Sequence, residues 1–260
     1  MNEKIRNILK KFRIIITLLL TIAISISINI GVDKWREYKY KPLFEKYLSE
    51  RYTEEMVVSS IYKGSKWGEY ECYTYPKRNP NMYFYTFLKK DKTTNGYVFS
   101  DHYFQTLWQG EVQSEVEEYI KTFFDNIHSV NFMIMGKPQY DKDPIQYVFD
   151  FKNYIPKSKV PTYDEIKGNS DIKEYYKTLD INIIGELKAR DIEKENNNVL
   201  KVVMFIKEKG YNIDHLTVSY GHGAKSGNNS SFSTDSDNMY LFDKREIDNI
   251  KSVDDIKKLK

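Results

Sequence analysis

Four histidines, His102, His128, His215 and His222, are the side chains best suited to proton transfer or metal ligation near neutral pH, and no two stand at HExxH or another helical ligand spacing. His215 and His222 are seven apart, with Asp214 and Asp235 the carboxylates that folding could bring to them; solvated or partly satisfied histidines are the plainer reading. Asp235, Asp237, Asp243 and Glu246 follow the spacing of an EF-hand calcium loop. Met239 fills a ligand position there, and Tyr240 replaces the glycine that permits the sharp turn, so calcium is not expected. Gly221, Gly223 and Gly227 around Lys225 and Ser226 match neither GxGxxG nor GxxxxGK[ST], and no G-x-S-x-G elbow occurs. The carboxylate pairs Glu54/Glu55, Glu117/Glu118 and Asp254/Asp255 sit side by side, where helix caps or solvated faces explain them better than acid–base catalysis. The single cysteine, Cys72, excludes an internal disulfide, a zinc ribbon and a paired-thiol redox site. The expectation is a protein that is not an enzyme and holds no metal or cofactor.

Aromatic content is the unusual quantity, with 22 Tyr and 14 Phe in 260 residues. A tyrosine-rich exposed face suits contacts with a protein or a glycan, because the ring supplies area at low entropy cost while the hydroxyl stays wet. Core filling and the tolerance of strands for tyrosine compete with that reading.

These residues have to be positioned by a chain whose first thirty residues are unlike the rest. Five of the 40 Lys and Arg precede residue 14, and one of the 37 Asp and Glu does, so the chain beyond Val32 carries 35 basic and 36 acidic residues. The body is electrically balanced, so the overall charge gives no licence for a phosphate-tracking surface of the kind nucleic acids need, and no nucleic-acid partner is expected. Ile14 to Val32 reads IIITLLLTIAISISINIGV without a charge. At about 1.5 Å per residue it covers roughly 28 Å, close to the thickness of a hydrocarbon core. The basic, short N-terminal segment is expected to stay in the cytoplasm, which places residues 33–260 outside the cell on a single-pass anchor in the cell membrane. Ser25 and Ser27 offer small residues for signal cleavage, but the run exceeds the 7 to 15 residues typical of a signal core. An uncleaved anchor is the expectation.

The exposed part reads as α+β. Trp35, Tyr38, Phe44, Tyr47, Leu48 and Tyr52 form an amphipathic helix, expected to break at Pro42. Short β-rich runs follow at Met56–Tyr62, Glu69–Tyr75, Met82–Leu88 and Tyr97–Phe99, the last two joined by the hairpin signal Asn95-Gly96. Phe104 to Phe124 changes to a helical period and should pack across that sheet. Strands are expected again at Val130–Met135 and Gln146–Phe151. Asn153 to Pro161 is the expected internal boundary, dividing a cytoplasmic tail 1–13, an anchor 14–32, a module 33–155 and a module 156–260. In the second module Thr162 and Glu165 form a capping box for a helix that Ser170–Lys177 extends or restarts. A strand at Ile181–Leu187, a turn at Asn196–Asn198, a helix at Leu200–Lys209 ended by Gly210, and a strand at Leu216–Tyr220 follow. Gly221 to Asn238 reads as a mobile loop, and a last helix starts near Ser252 with Asp255 at its third position. The sum is an antiparallel sheet with packed helices, cystatin-like or as two small α+β modules.

Lys46-Tyr47-Leu48 and Arg51-Tyr52 ahead of the first strand, then Asp101-His102-Tyr103 and Trp108 opening the long helix, resemble small membrane-anchored or lipoprotein-like surface domains of low-GC Gram-positive bacteria. The likeness covers residues 40–125 and concerns architecture; it implies no activity. Read physically, Asp101 is an acid at a helix N-terminus, and Tyr103 and Trp108 are core or groove aromatics. The leading functional expectation is a non-enzymatic binding or assembly module held at the membrane. The others are a scaffold subunit of a secretion or conjugation complex, and a cell-envelope hydrolase or metal-dependent enzyme.

Overall fold

The computed structural model describes residues 3–64, 69–91, 93–94, 96–139, 146–148, 160–185, 192–226, 229–234 and 238–259. The fold is α+β, and the chain divides into two compact units, Met1–Tyr103 and Phe104–Lys260.

The first unit begins with α1, one continuous helix from Glu3 to Arg51. Its apolar run from Ile15 to Val32 is exposed throughout, and by length and composition the helix can cross a membrane. Pro42 does not break it. The ring removes one backbone donor, a loss of about 3 kcal/mol in a helix interior, yet Pro42 itself is exposed and the turns on either side are held by burial of Tyr40, Phe44 and Leu48. The buried stripe starts at Tyr40; Trp35 and Tyr38, expected on it, are exposed.

Four strands follow as an antiparallel meander, β1 (Met56–Lys63), β2 (Tyr70–Pro76), β3 (Phe84–Lys90) and β4 (Tyr97–Asp101), adjacent in chain order. Val58, Ile61, Cys72, Thr74, Phe84, Thr86 and Leu88 are the buried side chains of one face, and a register irregularity between Val58 and Ile61 leaves Ser59 and Ser60 exposed. The polar members of that face satisfy each other: the Thr74 and Thr86 hydroxyls lie 2.9 Å apart, and the Cys72 thiol is 3.5 Å from Thr74. At the β3–β4 hairpin the Asp91 amide donates to the Gly96 carbonyl at 2.9 Å; Asn95 lies outside the described residues.

The second unit is organised by α2 (Tyr103–Ile120), whose first residue still belongs to the first unit. Phe104, Trp108, Val112, Val116 and Ile120 repeat every four residues and are all buried. The helix was expected across the first sheet; its observed partners include β5 (Ile127–Gln139), where Gln105 donates to the Ile134 carbonyl. After β6 (Gln146–Val148) come two short helices, α3 (Tyr163–Ile166) and α4 (Ser170–Lys173), and then β7 (Tyr176–Ile184). Thr162 and Glu165 form the expected capping box of α3. α5 (Ile192–Lys209) crosses over to β8 (His215–Ser226), which is parallel to β7, while β9 (Asn229–Ser233), β10 (Met239–Asp243), α6 (Lys244–Asn249) and α7 (Val253–Leu259) complete the chain. The sheet order is β10-β8-β7-β5-β6, with β9 on β8, so this sheet is mixed where an antiparallel one was expected.

Three differences from the sequence reading have physical causes. The boundary expected in 153–161 lies, up to residue 159, outside the described residues, but β5 before it and β7 after it pair in one sheet, and the division falls at Tyr103 instead. Asn196–Asn198 are helical: Asn196 accepts from the Tyr240 hydroxyl at 2.8 Å and Asn198 donates to the Phe123 carbonyl at 3.4 Å, so tertiary partners take up amides that in isolation favour turns. Part of the Gly221–Asn238 loop is strand, because β8 continues to Ser226 and β9 returns along it. Gly221 is required there, since a Cβ would stand 2.1 Å from the Ser233 carbonyl oxygen.

Candidate functional site

Two features of the first unit concentrate its polar and aromatic chemistry on opposite sides of one sheet. The inner one is Asp101, at the end of β4, with a side chain only 1% exposed. Its Oδ2 accepts from the Tyr47 hydroxyl at 2.6 Å and faces Arg51 Nε at 3.2 Å; its Oδ1 accepts from the Tyr52 hydroxyl at 2.6 Å and from the Tyr103 amide, the first of α2, at 3.0 Å. The acid at a helix N-terminus expected from the sequence is therefore also the counter-ion of Arg51 and the acceptor for two tyrosines. Four donors occupy the roughly four acceptor positions of a carboxylate, leaving none for a substrate proton. Burial first, and then the Asp101 charge, push the Tyr47 and Tyr52 hydroxyls far above the usual phenol range. The arrangement pins the last turn of α1 to the end of the sheet.

Tyr103 is buried, edge-on to Tyr52 at 4.7 Å and beside Phe84 at 5.1 Å, and its hydroxyl donates to Glu54. Arg78 Nε closes on the other Glu54 oxygen at 2.7 Å, and Lys77 pairs with Glu55 at 2.8 Å, so the adjacent carboxylates are ion-pair partners of one turn. Trp108 belongs to the second unit's core: fully buried, stacked on Phe104, with Nε1 donating to the Pro161 carbonyl at 2.8 Å. Asp101 and Tyr103 thus share one bonded cluster, and Trp108 anchors a different core.

The tyrosine–carboxylate pairing recurs in the second unit, where Tyr211 donates to Glu115 and Tyr220 to Glu195 at 2.6 Å. Lys209 also reaches Glu115, and these two donors hold its carboxyl below the ordinary range against the opposing effect of burial. Sequence reasoning missed this use of tyrosine, because each pair joins residues 25 to 96 positions apart.

The other expected ligands are dispersed. The His215 ring lies 5.6 Å from Tyr176, while Asp214 accepts from the Lys177 amide at 2.8 Å. His222 pairs in register with Ser233 along the β8–β9 hairpin, and Asp235 lies outside the described residues. Asp243 and Glu246 form the capping box of α6. Among the described residues no group of three or more His, Cys, Asp or Glu could hold a metal ion. Burial pushes the Cys72 thiol up to about 12, which removes its nucleophilic form near neutral pH. Lys177 is buried with Nζ donating to the Tyr175 carbonyl at 2.6 Å, and desolvation pulls its amine down to about 8.

The outer feature is a face of tyrosines. Because Cys72, Thr74 and Thr86 point inward, Tyr73, Tyr75 and Tyr85 project the other way. Tyr73 and Tyr85 are directly opposed in register, with hydroxyls 2.7 Å apart and rings 4.7 Å apart. Tyr62 stands edge-on to Tyr73 at 5.7 Å, Tyr83 edge-on to Tyr75 at 5.4 Å, and Phe87 stacks behind Tyr85 at 6.0 Å. Tyr62, Tyr83 and Tyr85 are 42%, 54% and 38% exposed, high for large rings in mutual contact. Compared with known proteins, the chain matches no family model, no curated protein and no solved structure.

Proposed function

We propose that this is a single-pass, membrane-anchored extracytoplasmic protein of non-enzymatic binding type, and that its partner, a protein or a glycan, seats on the tyrosine face of the first sheet. The observation that carries the reading is that face itself: Tyr62, Tyr73 and Tyr85 in one set of ring contacts and Tyr75 and Tyr83 in another, with Tyr62, Tyr83 and Tyr85 exposed and Tyr73 and Tyr75 half-buried, on the side of the sheet opposite its packed face. Tyrosine in such an array contributes apolar area with few rotamers to freeze and a hydroxyl for polar contact. The apolar run 14–32 of α1 supplies the anchor, and the basic residues before it favour a cytoplasmic N-terminus.

The test is a photo-crosslinking amino acid at position 85, with position 204 as an exposed control in the other unit, in intact cells. A discrete adduct at position 85 that is lost on Tyr62→Ser/Tyr73→Ser substitution supports the reading. Adducts only between copies of this chain would favour the scaffold of a secretion or conjugation complex, and protease shaving that spares residues 33–260 would refute the extracytoplasmic placement.

A further inference from the structure

We propose that the anchor-side end of the first unit docks on anionic lipid headgroups of the same bilayer. The inference rests on reading α1 as the anchor. Ring contacts fix which end of the sheet that is: Tyr40, eight residues past Val32, stacks on Tyr70 at 3.9 Å and meets Tyr97 at 6.4 Å, whereas Arg51 at the far end of α1 meets Asp101. The starts of β2 and β4 and the ends of β1 and β3 therefore lie toward the bilayer. Tyr40 stands about 12 Å beyond the apolar run at 1.5 Å per residue. That is within the headgroup layer plus roughly one Debye length.

Charge is distributed unevenly between the two ends. At the anchor side Lys63, Lys89 and Lys90 close the strands, all exposed, and none of the three has an ion-pair partner among the described residues. The adjoining helix, residues 33–41, adds four basic residues to two acidic ones. Two acids, Glu69 and Asp91, oppose them at the strand ends, and Asp91 is engaged by Thr93 and Thr94 of its own turn. At the opposite end the cations are spoken for: Arg51 by Asp101, Lys77 by Glu55 and Arg78 by Glu54. The same anchor-side end exposes Trp35, Tyr38, Tyr97 and Val98, the last two beside Lys89 and Lys90 in register. Unpaired lysines among exposed aromatic rings are what an anionic headgroup layer accommodates, with phosphates accepting from the amines and the rings resting at the interface.

The full chain is reconstituted into vesicles of phosphatidylcholine, or of phosphatidylcholine mixed with phosphatidylglycerol, carrying a headgroup spin-labelled lipid as quencher. A fluorophore is placed at Val98→Cys or, at the far end, Asn81→Cys; Cys72 is buried and stays unlabelled. The label at 98 is expected to be quenched in the mixed vesicles and little in phosphatidylcholine alone, with the label at 81 unquenched in both. Lys63→Glu/Lys89→Glu/Lys90→Glu should abolish the quenching, a drop of about a hundredfold in the docked-to-free ratio. A label at 98 as unquenched as that at 81, or quenched equally in both lipids, overturns the proposal. Flotation of the vesicles reads the anchor separately: a chain that floats with an unquenched label refutes docking alone, and one that does not float refutes the anchor and the docking with it.

Discussion

Both units clamp distant elements with buried tyrosines, and the first also displays tyrosines at its surface. In the second, the large tyrosines Tyr163, Tyr211, Tyr220 and Tyr240 are buried, and the exposed large apolar side chains are single ones, Met133, Ile184, Met204 and Leu241. In the first, Tyr52 and Tyr103 are buried against carboxylates, while Tyr62, Tyr83 and Tyr85 are exposed and in contact with further tyrosines. What separates the two roles is the partner of the hydroxyl. A phenol that meets a buried carboxylate locks a distant element in place; one that meets another phenol or water leaves its ring available to a partner. The unit that offers a face to the outside is thus also the one tied to α1 through Asp101.

The sharpest way to break this comparison is to remove the inner clamp. Asp101→Ala leaves Arg51 and two tyrosine hydroxyls without their acceptor and should cost about 3–5 kcal/mol, read by urea unfolding of the full chain in detergent. Glu115→Gln, at a half-exposed clamp of the second unit, should cost about 1 kcal/mol. Equal losses would mean that the two units are clamped alike.

Lys177 gives the next largest effect, of opposite sign. Its folded pKa of about 8 lies below the ordinary lysine value, so between that pH and 10.5 the unfolded chain binds more protons and the stability of the fold rises with pH. Below pH 8 both states are protonated and the full desolvation cost is present. Lys177→Met should therefore stabilise the protein at pH 7, by about 1–3 kcal/mol, and flatten its pH dependence between 8 and 10. Gly221→Ala should destabilise by about 1–3 kcal/mol through the contact with Ser233, leaving the first unit unaffected.

The buried tyrosines act at the alkaline end. Their folded pKa values are raised, so their contribution is complete below the ordinary phenol value near 10 and is lost as the pH climbs beyond it. Ultraviolet titration should show Tyr52 and Tyr220 ionising only well above the ordinary phenol range. The outer face has a similarly small effect on stability: Tyr73→Ser/Tyr85→Ser should cost about 1 kcal/mol while abolishing the partner binding proposed for it. A loss of several kcal/mol would show these rings to be core and not a presented surface.

Local chemistry made much of this legible. The strands β1 to β4 lie within two residues of the runs read from alternation and turn residues, and Thr162 and Glu165 cap α3 because a capping box closes over four consecutive residues. Ser252 and Asp255 likewise bond at the start of α7, although the serine hydroxyl donates to the carboxylate. The site was less legible. Asp101, Tyr103 and Trp108 read from the sequence as a helix acid and two aromatics, but nothing in their spacing reveals that Tyr47, Tyr52 and Arg51 converge on the acid. Nor does it reveal that the tyrosine falls in one unit and the tryptophan in the other.

By itself the sequence determined the apolar helix, the strand periodicity, the turns and the absence of a paired-cysteine site, because each is written in residues a few positions apart. Only the tertiary structure decided that Pro42 is carried inside a helix, that Asn196–Asn198 are helical, that β5 and β7 share a sheet across the expected boundary, and which tyrosines are clamps and which are surface. Those outcomes depend on partners tens of residues away, whose burial and hydrogen bonds outweigh the local preference of the chain.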